Sequence, residues 1–110
     1  MTRTTNRYDL ADLPGDLPIR VVSDRPAFDA AWSSAQRGEC ILFWGARLPR
    51  LGERARSKIN AYGEGEIVGF FTEHNALGIY LKPDRMPAWH VKQNPTRPCA
   101  MLFGAEFDLL

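Results

Sequence analysis

The sequence predicts an α+β fold, with a small SH3-like antiparallel β-barrel over residues 52–110 preceded by a strand-helix-strand element over residues 19–51. Three observations carry that expectation. Residues 52–81 read as three strand-like runs joined by two short turns, GERARSKIN, EIVGFFTE and LGIYL. The middle run contains Gly69, which marks a bend of the kind found at a barrel corner. Upstream, Phe28, Ala31, Trp32 and Ala35 recur at three- and four-residue steps between two short apolar runs, the pattern of one amphipathic helix between strands.

Each element follows from local chemistry. Residues 1–18 are polar and punctuated by Pro14, Gly15 and Pro18, and are expected to form a flexible N-terminal segment. Ile19–Val22 reads as a short strand. Ser23-Asp24 starts the helix, because either side chain can accept from an exposed first-turn amide, and Pro26 is tolerated there. Gly38 closes it. The apolar face predicts that Trp32 is buried in the core. Cys40–Trp44 is continuously apolar, hence a strand covered on both faces, and Gly45 ends it. A loop with Arg47 and Arg50 leads to the barrel.

In the first barrel strand Arg54, Arg56 and Lys58 fall on one face, and Ala55, Ser57 and Ile59 on the other. No acid lies at two-residue spacing on the basic face. Gly63 and Gly65 are expected to supply positive backbone torsions for the turn. Ile67–Phe71 reads as a central strand, and His74-Asn75 as a reversal before Leu77–Leu81. Trp89, Val91 and Gln93 alternate with His90 and Lys92, which predicts a fourth strand between two proline-bounded loops. Residues 100–109 alternate over their whole length and predict one closing strand.

With 110 residues, 45% apolar and 25% charged, the chain fits one compact domain. A net charge of +1 excludes a strongly basic arm but leaves room for a local basic patch. No apolar run is long enough for a membrane span, and the N-terminus lacks the apolar segment of a secretory signal, so the expected compartment is the cytoplasm. Cys40 and Cys99 are far apart and outside any CxxC, so two reduced thiols are expected. His74 and His90 have no ligand spacing with them, so no metal site is expected. Neither Glu64 and Glu66 nor any Ser-His-Asp set forms a catalytic pattern. The basic stripe of Arg54, Arg56 and Lys58, joined by Lys92 if the fourth strand pairs nearby, could track phosphates, with Tyr62, Tyr80, Trp89 and His90 to stack bases.

Gly52-Glu53-Arg54-Ala55-Arg56, then Ala61, then Gly65-Glu66-Ile67-Val68-Gly69-Phe70-Phe71, resembles the plasmid-borne type B dihydrofolate reductases. The likeness extends to Leu81 and covers neither residues 1–51 nor 96–110. It implies an SH3-like barrel and a gene on a mobile element. In that family four barrels form one pore, in which a nicotinamide cofactor and dihydrofolate stack. The pore lysine of the family falls here on Ser57, beside Lys58. Its valine-glutamine-isoleucine-tyrosine run falls on Val91-Lys92-Gln93-Asn94, which keeps only the valine. The pore motif is therefore not retained.

The sequence thus points to a non-enzymatic binding module for nucleic acid or protein, without a cofactor. Its expected contacts are Arg54, Arg56, Lys58 and Lys92. The alternative is a divergent type B dihydrofolate reductase, a homotetramer using NADPH, with Lys58, Val91, Lys92 and Gln93 at the pore. A third reading is an interaction domain acting through the helix face.

Overall fold

A computed structural model of the chain describes residues 17–110; the flexible segment expected over residues 1–18 lies almost wholly outside them. The elements are β1 (Ile19–Val22), α1 (Arg25–Gln36), β2 (Ile41–Trp44), β3 (Arg54–Ser57), β4 (Glu64–Glu73), β5 (Ala76–Pro83), α2 (Ala88–Gln93), β6 (Ala100–Phe103), a 3-10 turn (Gly104–Glu106) and β7 (Phe107–Leu109). They form an α+β fold in which a mixed seven-stranded sheet curls into a half-barrel.

The chain begins with a parallel β1-α1-β2 unit, in register from Ile19↔Ile41 to Val22↔Trp44. Asp24 caps the helix by accepting from the Ala27 amide at 2.8 Å. At the other end Gly38 follows at φ +79°, and its amide donates to the Ala35 carbonyl at 2.9 Å. The unit joins the barrel strands through β2, which runs parallel to the start of β5 at Leu42↔Ala76. Asn75 strengthens that junction, since its side-chain amide donates to the Ala35 carbonyl at 2.9 Å. A helix-end carbonyl thereby finds a second partner.

The remaining strands are antiparallel. β4 and β5 form a long hairpin around His74 (φ 52°) and Asn75 (φ 61°), the left-handed pair that a two-residue turn requires. The register slips between Ile67 and Gly69, so the expected bend at Gly69 is a β-bulge. β3 pairs with β4 on one side and with β7 on the other, and β6 lies on β5. One apolar core fills the curl, with Ile41, Phe43, Ile67, Phe70, Ile79, Leu81 and Leu102 at its centre. A smaller one lies between α1 and its sheet, from Val22, Ala31, Ala35, Cys40 and Leu42.

Four sequence expectations are corrected here. Residues 88–93 are helical, not a strand. One side of β5 is already taken by β4 and the other by β2 and β6, so this excursion must satisfy its own backbone groups, and a short helix does so. Val91 is 53% exposed, so the Trp89/Val91 alternation is not a burial pattern. Residues 100–109 are two strands, because the chain leaves β5 and crosses to β3 through the 3-10 turn; the Glu106 carboxylate accepts from the Phe103 amide at 2.8 Å. Gly63 does take positive φ, but Gly65 does not, and Asn60 and Ala61 share the left-handed turn instead. Gly65 is needed for space, since a Cβ there would lie 2.3 Å from the Lys82 carbonyl oxygen. Trp32, finally, is 43% exposed.

Candidate functional site: the cleft beside the helix

The position of Trp32 follows from how α1 seats. Ala31 and Ala35, four residues apart, are both fully buried and set the line of contact with the sheet. Two alanines bring the helix close. Trp32, the residue after Ala31, is swung off that line to the rim and stays 43% exposed. Its ring stacks on Phe28 at a centroid distance of 5.9 Å, and Phe28 meets Trp44 edge-on at 4.6 Å. These three rings wall an open apolar cleft of about 300 Å³.

The floor and far wall come from Leu42, Leu77 and Phe103, with Glu73 and His74 at the rim. Gly104 and Ala105 complete the wall. Gly104 is pressed on the end of β2, where a Cβ would lie 1.9 Å from the Trp44 carbonyl oxygen. That close approach seats the 3-10 turn against the end of β2 beside Trp44. Gln36 ties its upper end by donating from its side-chain amide to the His74 carbonyl at 3.1 Å.

The basic face of β3 is built differently. Arg54, Arg56 and Lys58 are exposed on one face, as the alternation requires, and Ala55 is buried on the other. Each cation has an acidic partner from a different element. Arg54 makes a two-pronged pair with Asp84, with Nη1 2.8 Å from Oδ1. Arg56 Nη2 lies 2.7 Å from Glu64, and Lys58 Nζ 3.2 Å from Asp108. The Arg54 guanidinium holds the Asp84 carboxyl below its usual range, and Asp84 raises Arg54 in turn, in both cases chiefly through the hydrogen bond. The loop cation Arg47 pairs likewise with Glu53 and lowers its carboxyl.

Lys92 does not join this face. It lies on α2 with Val91 and Gln93, all three exposed. α2 is held through His90, whose Nε2–H donates to the Arg97 carbonyl at 2.9 Å while its Nδ1 accepts from the Tyr62 hydroxyl at 2.9 Å. Burial pushes the Tyr62 phenol up. Ser57, at the pore-lysine position of the reductase resemblance, is turned into a local loop, its hydroxyl donating to the Ile59 carbonyl at 2.8 Å. The four residues named for a pore therefore sit in two places: Lys58 against Asp108, and Val91, Lys92 and Gln93 on the helix. Among the described residues no group of His, Cys, Asp or Glu is arranged to hold a metal ion, and no helix is long and apolar enough to cross a membrane. Cys40 and Cys99 are free thiols.

The chain matches no family model, no curated protein and no solved structure.

In the sequence the cleft residues Phe28, Trp32, Trp44 and Phe103 carry only the pattern of core or strand residues. A signal for Trp32 was present in the Ala31/Ala35 pair, which marks the contact line of the helix one residue away from it. The acidic partners also left a trace. Glu64 and Glu66 flank Gly65 as Arg54 and Arg56 flank Ala55, two complementary stripes that an antiparallel pairing brings together.

Proposed function

We propose that this protein is a non-enzymatic binding module on an SH3-like barrel, and that its partner is an apolar segment of another protein seated in the cleft beside α1. One observation carries the reading: the stacked pair of Trp32 and Phe28, continued by Trp44, forms an aromatic wall in an open cleft that Phe103 also lines. Apolar walls with rigid aromatic rings are how small domains grip short segments, because the rings offer large contact area at low entropic cost. A half-exposed tryptophan on such a surface is of the residue type enriched among those that dominate binding energy. The β3 face is a poorer candidate, since an incoming phosphate must compete with a carboxylate already in place on every cation.

The strand order supports the finer description of the barrel. The first barrel strand pairs with the second and with the last, and a 3-10 turn precedes the last strand, as in SH3-like barrels.

The experiment is selection from a random linear peptide library displayed on phage, against the purified protein. The expected outcome is a family of peptides rich in apolar residues, bound equally by the Arg54→Gln/Arg56→Gln variant and at least tenfold more weakly by Trp32→Ala. Peptides that bind Trp32→Ala as well as wild type would overturn the assignment. So would NADPH-dependent reduction of dihydrofolate that resists trimethoprim, which would restore the reductase reading.

A further inference from the structure

Between Asp84 and Glu106 the chain contains no acidic residue, while it carries Arg85, Lys92 and Arg97. All three are exposed, and among the described residues none is in an ion pair. Asp84 itself is held by Arg54. Lys82 faces Glu66 in register across the β4–β5 hairpin. Arg97 lines a second cleft, distinct from the one beside α1, together with Glu73 and Tyr80, and its Nη1 lies 4.0 Å from the Met101 sulfur. This charge distribution is the reverse of that on β3.

The segment is a folded knot rather than a loose loop. Leu81 pairs with Ala100, so the intervening residues leave and re-enter the sheet at one point. Within the knot the Asn94 amide donates to the His90 carbonyl at 2.7 Å, and the Arg97 amide to the Asn94 carbonyl at 3.0 Å. The turn after α2 therefore folds back, and the Arg97 carbonyl accepts from the buried His90 ring. His90 is the pin that holds the two halves together, and Tyr62 holds His90 from the barrel side.

Trp89 projects from this knot, 38% exposed. Its indole N–H donates to the Asn60 carbonyl at 3.3 Å, and its ring packs on Tyr62 at 5.4 Å and on His90 at 5.6 Å. The ring is thus fixed in orientation with part of its surface open. A fixed, partly open indole on a short segment whose cations make no ion pair offers the two elements that single-stranded nucleic acid uses: cations neutralise phosphates, and an unpaired base stacks on a ring. A duplex offers phosphates but no free base face.

We propose that the knot over residues 85–97 is a binding site for single-stranded nucleic acid, with Arg85, Lys92 and Arg97 on phosphates and Trp89 under a base. It shares no residue with the cleft beside α1 and stands or falls independently of it.

The test is fluorescence anisotropy of a labelled oligothymidylate of about 20 nucleotides, long enough to cover the few nucleotides per site that small domains engage, titrated across a salt series. Wild type is expected to bind with a log–log salt slope near −2, about −0.7 for each of three phosphates. The Arg85→Gln/Lys92→Gln/Arg97→Gln variant is expected to lose that slope, and Arg54→Gln/Arg56→Gln to keep it. Trp89→Leu is expected to weaken binding roughly 5- to 100-fold at every salt concentration without changing the slope. Should Trp89→Leu fail to fold, Trp89→Phe, which keeps a stacking ring, is expected to bind within about tenfold of wild type, and the triple charge variant carries the test. No binding at about 50 mM salt, where phosphate contacts are strong, would overturn the proposal. So would an unchanged slope in the triple variant, or equal affinity for duplex, heparin and the single strand.

Discussion

The outer face of β3 and the outer face of α1 are both exposed, and they reach opposite states. On β3 every cation has found a carboxylate: Arg54 with Asp84, Arg56 with Glu64, Lys58 with Asp108. On α1 Phe28 packs against the edge of the small core and Trp44, while Trp32 stacks on Phe28 and stays 43% exposed. The difference has a geometric cause. Strands in a sheet place side chains of neighbouring strands at fixed, close spacing, so complementary charges on two strands meet automatically. A helix seated on alanines touches its sheet along one narrow line, and any bulky residue off that line stays outside. The lesson is that a conspicuous charge stripe can be internally satisfied, while a residue type normally buried can be the one left available.

That contrast can be broken most severely at the cleft floor. Leu42 is buried in the small core under α1, and Leu42→Ala is expected to cost about 2–5 kcal/mol in denaturant unfolding. A loss under about 1 kcal/mol would mean that α1 is not seated as described, since buried leucines do not go so cheaply. Gly104→Ala comes next. Its new methyl must push the 3-10 turn off the Trp44 carbonyl, at an expected cost of about 1–3 kcal/mol.

Trp32→Ala should be much milder than either, at about 1 kcal/mol, because what is lost is one exposed ring pair. A cost of several kcal/mol would place Trp32 in the core and remove the open wall of the cleft. The Arg54→Gln/Arg56→Gln variant is expected to change stability by under about 1 kcal/mol, since exposed pairs contribute little.

The smallest effect is a pH dependence. The Asp84, Glu53 and Glu39 carboxyls are all held below their usual range by hydrogen bonds from Arg54, Arg47 and Arg37. A depressed carboxyl adds stability that is present above its unfolded value, near pH 4, and is lost as pH falls through the folded value. Thermal melts should therefore shift downward on acidification below about pH 4. Asp84→Asn should flatten that acid limb slightly, and an unaltered limb would show that the Arg54 pair does not persist in solution.

Much of this architecture was legible in the residues. β1, α1 with its Asp24 cap, the His74-Asn75 turn and the bulge near Gly69 all follow from local chemistry. What was not legible depended on contacts remote in sequence. Residues 88–93 alternate like a strand, but whether a strand can form there depends on which edges β2 and β6 already occupy. The neutralising partners of β3 come from Glu64, Asp84 and Asp108, on three different elements, and only the first is near enough in sequence to suggest itself. The cleft depends on the same kind of information. Trp44 and Phe103 read as strand residues until the crossing from β6 to β7 puts Gly104 against the end of β2.

The three tryptophans allow the central claim to be tested in one spectrum. Trp32 and Trp44 line the cleft, while Trp89 sits on the knot around α2. The measurement is a titration of ¹⁵N-labelled protein with a synthetic peptide of a selected apolar sequence, following the three indole N–H signals. The account predicts that the Trp32 and Trp44 signals move together along one binding curve while Trp89 stays in place. A peptide that moves Trp89 alone, or that binds without moving Trp32, would contradict it.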